Sequence, residues 1–364
     1  MAAREVFVVV GTRPEIVKMA PVVRGLEGLP SVEPVLVHTD QHYDDSLSGD
    51  FFDALALPTP DHHLGVGSGT HGEQTASGLV ELEDLLETHD PAAVLAQGDT
   101  NTTLSAALAA CKRPEPFGHV EAGIRSFDRS MPEEVNRVLV DRVADLAFAP
   151  TETAVENLAA EGITDGVHCT GNTVVDACLT HAELAAAEST TLDRFDLEPE
   201  QYVVATIHRE RNTDDPTRLQ AIVEALDAHS APVVLPAHPR TRAALEALEW
   251  TPTGALRLVD PVDYLDFLRL LDGARLVVTD SGGIQEEASV LEVPCLTVRP
   301  NTERPETVTA GVNELVEPTA LPDRLDPVYE KPDAMTGHPD LYGDGTAGER
   351  IAKHVVDRLE GGEQ

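Results

Sequence analysis

Short runs rich in Val, Ile and Leu alternate with longer amphipathic stretches along almost the whole chain. Runs such as VFVVV at 6–10, AAVLAQG at 92–98 and RLVVTD at 275–280 are typical of buried strands. PEEVNRVLVDRVADL at 132–146 instead has apolar residues at helical spacing. This alternation predicts an α/β fold with doubly wound parallel sheets and helices on both faces. Further strands are predicted at 34–39, 117–123, 146–151, 167–172, 202–208, 232–238, 255–260 and 294–299.

The chain has 364 residues, more than one hydrophobic core usually organises. A polar, strandless stretch follows the helix that begins near His181, and such stretches are typical of domain boundaries. We therefore predict an N-terminal doubly wound domain at 1–180 and a C-terminal one at 181–344. A last helix is predicted at 348–360.

Acidic residues dominate the charge: 64 Asp and Glu against 26 Lys and Arg give a net charge of −38. The acidic residues are spread along the chain, so we interpret them as a solvated coat suited to molar salt, where repulsion is screened. This interpretation predicts a halophilic, archaeal source. Because no basic stripe is present to contact phosphates in a row, nucleic-acid binding is not expected.

The sequence also bears on the compartment. No apolar run approaches the roughly 20 residues that a membrane helix needs, so no membrane association is expected. The opening MAAREVFVVVGTRPE lacks a basic region and a cleavage site and is interpreted as a first strand, which predicts a cytoplasmic protein. Cys111, Cys169, Cys178 and Cys295 lack metal-type spacing and are expected to be free thiols.

The motif GTRPEIVK follows the first predicted strand. Its glycine, Gly11, permits a tight turn, and Pro14 suits the first turn of a helix. Arg13 and Lys18 then lie near a helix N-terminus, where anions bind well. We interpret them as anion contacts, with an ordinary charged turn as the alternative.

Three further motifs in the first half carry carboxylates. QGDTNTT contains Asp99, GHVEAGIRS contains Glu121, and MPEEVNR contains Glu133 beside Glu134. A carboxylate at a strand end is a candidate acid or base. The alternatives are a helix N-cap for Asp99, a salt bridge from Glu121 to Arg125, and complementation of a helix dipole by the two adjacent glutamates.

The second half carries groups suited to phosphate. TIHRERN ends a strand, and His208 together with Arg209 and Arg211 is a better anion-site candidate than any one of them. The Ser-Gly-Gly turn at 281–283 would present backbone N–H groups at a helix N-terminus, which a phosphate can approach closely. Glu287 lies a turn further along and suits ribose hydroxyls, and TERPETV adds Arg304.

Taken together, cations and N–H donors occur in both halves, and carboxylates occur mainly in the first. Ligands of open α/β sheets bind at the carboxyl ends of the strands. The pattern therefore predicts a diphosphate-linked sugar as ligand, with the nucleotide held by the second half and the sugar acted on by the first.

The motifs in order resemble those of the non-hydrolysing UDP-N-acetylglucosamine 2-epimerases. The match extends nearly end to end, through GTRPE, GDTNTT, HVEAGIRS, MPEEVNR, GNTVVDA, HRERN, DSGGIQEE, TERPETVTAG and YGDGTAGERI. The resemblance implies a GT-B architecture of two Rossmann-like domains, with the C-terminal helix at 345–364 packing back on the first. It also implies a homodimer that uses no metal and no nicotinamide cofactor, and a plausible place in surface-polysaccharide or N-glycan precursor supply.

The resemblance further implies reversible interconversion of UDP-N-acetylglucosamine and UDP-N-acetylmannosamine, by elimination of UDP to a glycal and re-addition. By motif match, Asp99, Glu121 and Glu133 are the acid/base carboxylates, and His208 is a diphosphate contact needed for activity. Phe267 is expected near the uracil. The implied UDP-sugar contacts are Arg13, Lys18, Phe267, Ser281, Gly282, Gly283, Glu287 and Arg304.

One segment departs from the family pattern. Many bacterial members carry Gln-His-x-x-Met-x-x-Gln, which is tied to activation by a second UDP-N-acetylglucosamine. Here QHYDDSLS keeps Gln41 and His42 but has Asp45 and Ser48 at the later positions. We therefore predict hyperbolic substrate kinetics.

Three other interpretations remain open. The related epimerase of UDP-2,3-diacetamido-glucuronate tends to have Ala-Arg-Pro-Gln in its first loop, whereas TRPE at 12–15 favours the simpler sugar. A GT-B glycosyltransferase would share the fold and nucleotide site, and fold alone does not exclude it. A non-catalytic sensor of nucleotide sugars would bind without turnover.

Overall fold

Two parallel sheets organise the chain in the computed structural model, which describes residues 3–41, 57–335 and 340–361. The first sheet contains β1 (Arg4–Val10), β2 (Val32–His38), β3 (His62–His63), β4 (Ala93–Gln97), β5 (Phe117–Val120), β6 (Leu146–Ala149) and β7 (Val167–Cys169). The second contains β8 (Val203–Thr206), β9 (Val233–Pro236), β10 (Leu256–Val259), β11 (Leu276–Thr279), β12 (Cys295–Thr297) and β13 (Asn313–Leu315). Every strand pair is parallel, which confirms the predicted fold class.

Within the described residues, helices connect most of the consecutive strands. They are α1 (Arg13–Glu27), α2 (His71–His89), α3 (Asn101–Ala110), α4 (Pro132–Val143), α5 (Glu152–Ala160), α6 (Thr173–Glu188), α7 (Thr191–Phe195), α8 (Glu210–Thr213), α9 (Pro216–Asp227), α10 (Pro239–Ala247), α11 (Tyr264–Asp272), α12 (Gly282–Val290), α13 (Pro305–Thr309), α14 (Leu321–Glu330) and α15 (Ala347–Gly361). Short 3-10 turns occupy Pro318–Ala320 and Pro332–Met335. Across residues 3–41, 57–335 and 340–361, none of the helices combines the length and apolar character needed to cross a bilayer.

The chain divides into two compact units. The N-terminal unit contains Met1–Ala177 and Tyr342–Gln364, and the C-terminal unit contains Cys178–Leu341. Their strand orders are β3-β2-β1-β4-β5-β6-β7 and β10-β9-β8-β11-β12-β13. Each order reverses once, between β1 and β4 in the first sheet and between β8 and β11 in the second. These reversals are topological switch points, where open α/β sheets bind ligands.

The strands predicted from the sequence are all present, although most end one to three residues earlier than predicted. Two further strands, β3 and β13, were not predicted. The former consists of two histidines and the latter of Asn-Glu-Leu, so neither has the apolar run by which a strand is recognised. All four cysteines are free, as predicted.

Helix α4 exposes apolar side chains and buries polar ones. Val135 and Leu139 are 36% and 48% exposed, whereas Glu134, Arg137 and Asp141 are almost fully buried. The spacing of apolar residues thus predicts the helix correctly, but it does not predict which side of the helix is buried. A helix that buries charged groups must satisfy them by ion pairs and hydrogen bonds, and those partners lie on β5 and in the segments after β4 and β5.

The last helix, α15, packs on α1 within the N-terminal unit. Backbone N–H groups of Ala347 and Gly348 donate to the carboxylate of Asp176 at 3.2 and 2.9 Å, which caps the helix N-terminus. A side chain at Gly348 would have its Cβ 2.5 Å from the carbonyl group of Pro21. The contact between the two helices therefore depends on the absence of a side chain at this position.

We expect Gly348→Ala to lower the free energy of unfolding by about 1–3 kcal/mol, because the added methyl group overlaps helix α1. Gly72→Ala is the matched control, since Gly72 is also the second residue of its helix and an added Cβ there meets nothing within 4 Å. The control should be neutral or stabilising by up to about 1 kcal/mol. Urea unfolding in molar KCl measures both, and equal stabilities of the two variants would contradict the packing argument.

Candidate functional site

Glu15 links the two loops at the switch point of the N-terminal unit. Its carboxylate accepts the backbone N–H of Gly11 at 2.8 Å and the hydroxyl groups of Thr12, Thr100 and Thr103 at 3.0, 2.6 and 3.3 Å. Burial raises the pKa of Glu15, although these hydrogen bonds act in the opposite direction. The loop after β1 and the loop after β4 are thereby held together at one buried group.

Glu121 follows β5 and has a left-handed backbone, with φ of 67°. Its Oε1 lies 2.6 Å from Nζ of Lys18, and its Oε2 accepts a hydrogen bond from Nε2 of Gln97. The residue is 8% exposed. The structure therefore joins Lys18 and Glu121, both candidates from the sequence, in one partly buried ion pair. The alternative partner considered for Glu121, Arg125, is paired elsewhere.

Asp99 follows β4 and pairs with Arg137 of helix α4. Its own backbone carbonyl accepts Nδ2 of Asn136 at 2.9 Å. The Asp99 side chain is 32% exposed, against 7% for Arg137. The N-cap of helix α3 is Thr100 and not Asp99. Asp99 is therefore a partly exposed carboxylate on a loop that Arg137 holds in place.

The adjacent glutamates of helix α4 differ in environment. Glu134 is 3% exposed and accepts the backbone N–H groups of Ser126 and Phe127 at 2.9 and 3.0 Å, with Arg137 at 3.2 Å. Glu133 is exposed and, in the part of the chain that the structure describes, makes no hydrogen bond or ion pair. Glu134 therefore shapes the loop, while Glu133 is available to a ligand.

A buried His119–Asp141 pair supports the same strand ends. The Nδ1 atom of His119 lies 2.6 Å from Asp141, and Nε2 lies 2.8 Å from the carbonyl oxygen of Gly98. Asp141 also pairs with Arg125 at 2.7 Å, and Arg125 reaches Glu161 with two nitrogens at 2.8 and 2.9 Å. Burial raises the pKa of Asp141, but His119 and Arg125 outweigh it, so that the pKa is lowered.

In the C-terminal unit, Asp280 connects the loops that follow β8 and β11. This fully buried carboxylate accepts the backbone N–H groups of His208 and Arg209 at 3.1 and 3.0 Å, and Nδ2 of Asn212 at 3.0 Å. It also lies 3.1 Å from Nδ1 of His208. Burial raises the pKa of Asp280, yet the contact with His208 and the other donors lower it overall. Asp280 therefore fixes the orientation of the half-exposed imidazole.

The Ser-Gly-Gly turn begins helix α12, as predicted. Ser281 is the N-cap but its side chain makes no capping hydrogen bond. A Cβ at Gly283 would meet nothing within 4 Å, and one at Gly282 would meet only Glu303, at 3.9 Å. Protein packing therefore does not explain why positions 282 and 283 are glycine. Close approach of an anion to the first N–H groups of the helix would explain it, because a side chain there would obstruct the anion.

The remaining candidates of this unit lie on helices α11 to α13. Arg304 contacts the fully buried Glu286 at 2.5 Å, and Glu287 accepts the hydroxyl group of Tyr264 at 3.1 Å. Phe267 is half-buried on the helix of Tyr264, one turn further along. Arg13, at the start of helix α1 in the other unit, is also half-buried.

Several site residues were not predicted as such. Residues that hold the candidate site residues in place lie within the quoted motifs but were not predicted to do so. They are Gln97, His119, Arg137 and Asp280. Their signal was a polar side chain inside an apolar run, as His119 is in FGHV. A polar residue in a predicted central strand implies a partner inside the fold.

The fold and these sites define a class. Two Rossmann-like parallel-sheet units, each with charged groups gathered at its switch point, make the chain a member of the GT-B-like α/β proteins. Within that class the chain belongs to the UDP-N-acetylglucosamine 2-epimerase family, whose sequence pattern matches residues 24–356. The family predicted from the motifs is thus confirmed.

Individual relatives agree with this assignment. A UDP-N-acetylglucosamine 2-epimerase of Methanocaldococcus jannaschii is 41% identical over 361 residues, 95% of this chain and 97% of the relative. A crystal structure of the enzyme from this organism in complex with UDP-N-acetylglucosamine and UDP has a TM-score of 0.86, at 41% identity, and the alignment covers 97% of this chain and 99% of that one. A UDP-2,3-diacetamido-2,3-dideoxy-D-glucuronate 2-epimerase of Pseudomonas aeruginosa is 40% identical over 363 residues, 97% of this chain and 99% of the relative.

Glu303, which lies beside the glycine turn, forms a buried ion pair with Arg299 whose contribution to stability can be tested. Burial raises its pKa, but two hydrogen bonds and the charge of Arg299 outweigh this and lower the pKa to about 2. The unfolded chain takes up this proton near the ordinary value of 4.5. The ion pair therefore stabilises the fold fully above about pH 4.5 and loses that contribution as the pH falls towards 2.

We expect Glu303→Gln to lower the free energy of unfolding at pH 7 by about 3 kcal/mol, because Arg299 keeps a buried charge without its partner. The loss of stability on going from pH 5 to pH 3 should be smaller in this variant than in the parent. Urea unfolding at a series of pH values measures both effects, with the exposed Glu246→Gln as control. A variant with the parental pH slope would contradict the assignment.

Proposed function

We propose that this protein is a UDP-N-acetylglucosamine 2-epimerase, which interconverts UDP-N-acetylglucosamine and UDP-N-acetylmannosamine. The observation that carries the proposal is the membership of the epimerase family over nearly the whole chain, with candidate groups present at every position that the reaction needs. Asp99 and Glu121 are each held by a cation, and Glu133 lies exposed on the helix that supplies Arg137.

The chemistry explains why several carboxylates are needed. The proton at C2 of the sugar is not adjacent to a carbonyl group, so a base alone would hardly remove it. Departure of UDP from C1 gives the ring oxocarbenium character and acidifies C2–H. Carboxylates stabilise the developing positive charge and take the proton. The glycal then gains a proton on the opposite face, so one carboxylate would not be enough.

We assign the acid/base chemistry to Asp99, Glu121 and Glu133 of the N-terminal unit. Lys18 and Gln97 bind the two oxygens of Glu121, which fixes the plane of its carboxylate. Arg137 binds one oxygen of Asp99, Oδ2. Fixed carboxylates need little reorganisation when charge develops in the transition state, which is why their supports matter to the rate.

We assign UDP binding mainly to the C-terminal unit. The Nδ1 atom of His208 faces Asp280, so Nε2 is the atom that would contact the leaving diphosphate. The first N–H groups of helix α12, at Ser281, Gly282 and Gly283, would hold a phosphate. Glu287 would take ribose hydroxyl groups and Phe267 would lie near the uracil. Arg13, Lys18 and Arg304 would add positive charge around the diphosphate.

The reaction as proposed needs neither a metal nor a nicotinamide cofactor. We further propose a cytoplasmic homodimer in a precursor pathway for surface polysaccharide or N-glycan, on the strength of the family resemblance. The charge of −38 supports adaptation to high salt, since at about 1 M the screening length is about 3 Å.

Two experiments separate this proposal from its rivals. Proton NMR with UDP-N-acetylglucosamine in heavy water and molar KCl should show the manno epimer, with deuterium entering C2 of both sugars. No turnover by a folded protein that binds UDP would overturn the proposal. The near-equal similarity to the diacetamido-glucuronate epimerase makes that UDP-sugar the second substrate to try. Incorporation into an added acceptor would indicate a glycosyltransferase, and binding alone a sensor.

The adjacent glutamates of helix α4 give a matched pair of variants. We expect Glu133→Gln to lower kcat by about 10²–10⁴-fold without loss of stability, since Glu133 is exposed. Glu134→Gln should instead lower the free energy of unfolding by about 1–3 kcal/mol, because Gln cannot accept all the hydrogen bonds that the carboxylate accepts. Turnover by NMR and urea unfolding distinguish the two. Full activity of Glu133→Gln would remove Glu133 from the mechanism.

The segment around Gln41 gives a kinetic prediction. Asp45 and Ser48 occupy positions at which activated bacterial members have Met and Gln, and both, like His42, lie outside the described residues. We expect a hyperbolic dependence of rate on UDP-N-acetylglucosamine, and turnover of UDP-N-acetylmannosamine without added gluco epimer. Initial rates in both directions test this. A sigmoidal curve would show that activation survives without those side chains.

A further inference from the structure

The sheet edge of the N-terminal unit brings two histidines and an aspartate together. In the parallel register of β2 and β3, His38 is opposite His63. Opposed residues of neighbouring strands project from the same face of a sheet. Asp40 lies two residues beyond His38, where β2 has ended. The three side chains therefore converge from two neighbouring chain segments.

The converging atoms are all capable of binding a cation. The Nδ1 atoms of His38 and His63 lie 2.6 and 2.9 Å from the same oxygen, Oδ1 of Asp40. The three ligand atoms all lie within 4.8 Å of one another. A neutral imidazole is the form that binds metal.

The two hydrogen bonds at Nδ1 of His38 require this nitrogen to be an acceptor in one and a donor in the other. The backbone N–H of Asp40 lies 3.1 Å from this nitrogen and needs its lone pair, whereas Oδ1 of Asp40 at 2.6 Å needs a proton on it. One ring nitrogen cannot serve both. A cation on the Nδ1 lone pair would meet the need of Oδ1, because the carboxylate would then bind the cation in place of a proton.

The backbone around the cluster is firmly tied. The segment after β3 donates three backbone hydrogen bonds to the last residue of β2 and the two residues that follow it, from Leu64, Val66 and Gly67 at 2.9, 2.9 and 3.0 Å. The N–H of Gly65 also donates to Oδ2 of Asp40 at 3.1 Å, which turns Oδ1 towards the histidines. Support of a ligating carboxylate by a further hydrogen bond is a common feature of metal sites.

Exposure of the cluster is graded. The His38 side chain is 2% exposed, that of Asp40 13% and that of His63 57%. A cation could therefore enter past His63 and complete its coordination with water. Two imidazoles and one carboxylate suit Zn²⁺, Co²⁺ or Ni²⁺ better than Mg²⁺ or Ca²⁺, which prefer oxygen ligands.

We propose that His38, Asp40 and His63 form a binding site for one divalent transition-metal cation. The site links β2 to the edge strand β3 and is built from none of the residues assigned to the epimerase reaction. Its role is to hold the edge of the sheet, and the metal-free chemistry proposed above is unaffected by it.

Cobalt titration tests the proposal, because the visible absorption of Co²⁺ reports nitrogen and oxygen coordination. The full chain is stripped with EDTA, dialysed into molar KCl at pH 7.5 and titrated with Co²⁺, followed by displacement with Zn²⁺. We expect saturation at one equivalent and a higher Tm in the presence of either metal, since a ligand of the native state stabilises it.

Two variants remove single ligands. His63→Ala deletes an exposed side chain, and Asp40→Asn keeps a residue that tolerates the left-handed backbone at φ 58°. Each should weaken binding about 10-fold or more. His62→Ala is the control, because His62 is the adjacent strand residue and contacts Phe7 and His89 instead. It should retain parental affinity.

Circular dichroism establishes that each variant is folded. Loss of the one-equivalent spectrum in both ligand variants, with retention in the control, would establish the site. Binding that is unchanged in His63→Ala and Asp40→Asn, or the absence of saturable binding by the parent, would overturn it and leave the cluster as a hydrogen-bonded His-Asp-His group.

Discussion

A buried carboxylate at each topological switch point is the constraint on which both candidate sites depend. Where a parallel sheet reverses its winding, two loops leave neighbouring strands and their backbone N–H groups point into the same space. Glu15 and Asp280 fill that space in the two units. Glu15 accepts hydrogen bonds from the loops after β1 and β4, and Asp280, in the loop after β11, accepts them from the loop after β8. Without them the loops would carry several buried donors with no acceptor, which is costly.

The two carboxylates also determine which neighbouring groups remain available to a ligand. Glu15 engages the threonines that follow β4, which leaves Asp99 to be held by Arg137 from helix α4. Asp280 engages Nδ1 of His208 and leaves Nε2. The carboxylate that organises each loop pair is therefore itself unavailable for chemistry. Glu15 and Asp280 therefore hold the site residues in place and do not act on the substrate themselves.

Salt affects the surface and the interior of this protein differently. The acidic coat and exposed pairs such as Arg242–Asp260 contribute little at molar salt, because exposed ion pairs are weak and readily screened. The pairs Arg125–Asp141 and Arg299–Glu303 have side chains at most 6% exposed, where screening is much smaller. The repulsion between surface charges can therefore vary with the salt concentration while the electrostatics of the candidate sites remain nearly constant.

The sequence was sufficient for the fold class, because apolar runs and helical spacing report burial directly. It was also sufficient to bring Lys18 and Glu121 into consideration, since both lie after strands. It could not pair them, because residues so far apart in sequence meet only through the strand order. Helix α4 shows the same limit: Val135 and Leu139 are exposed while Glu134 and Arg137 are buried, since the partners of these two charged residues come from other loops.

Glu121 illustrates why a local departure from ordinary backbone geometry coincides with the candidate site. A non-glycine residue with φ of 67° is strained, and such strain persists only where the surroundings enforce it. The surroundings here are the ion pair to Lys18 and the hydrogen bond from Gln97. The sharp turn directs the carboxylate back across the end of β4, where Oε2 lies 3.9 Å from the place that a Cβ at Gly98 would occupy. Gly98 itself has φ of 79°, so both residues take left-handed backbone where the carboxylate of Glu121 comes close to the loop of Asp99.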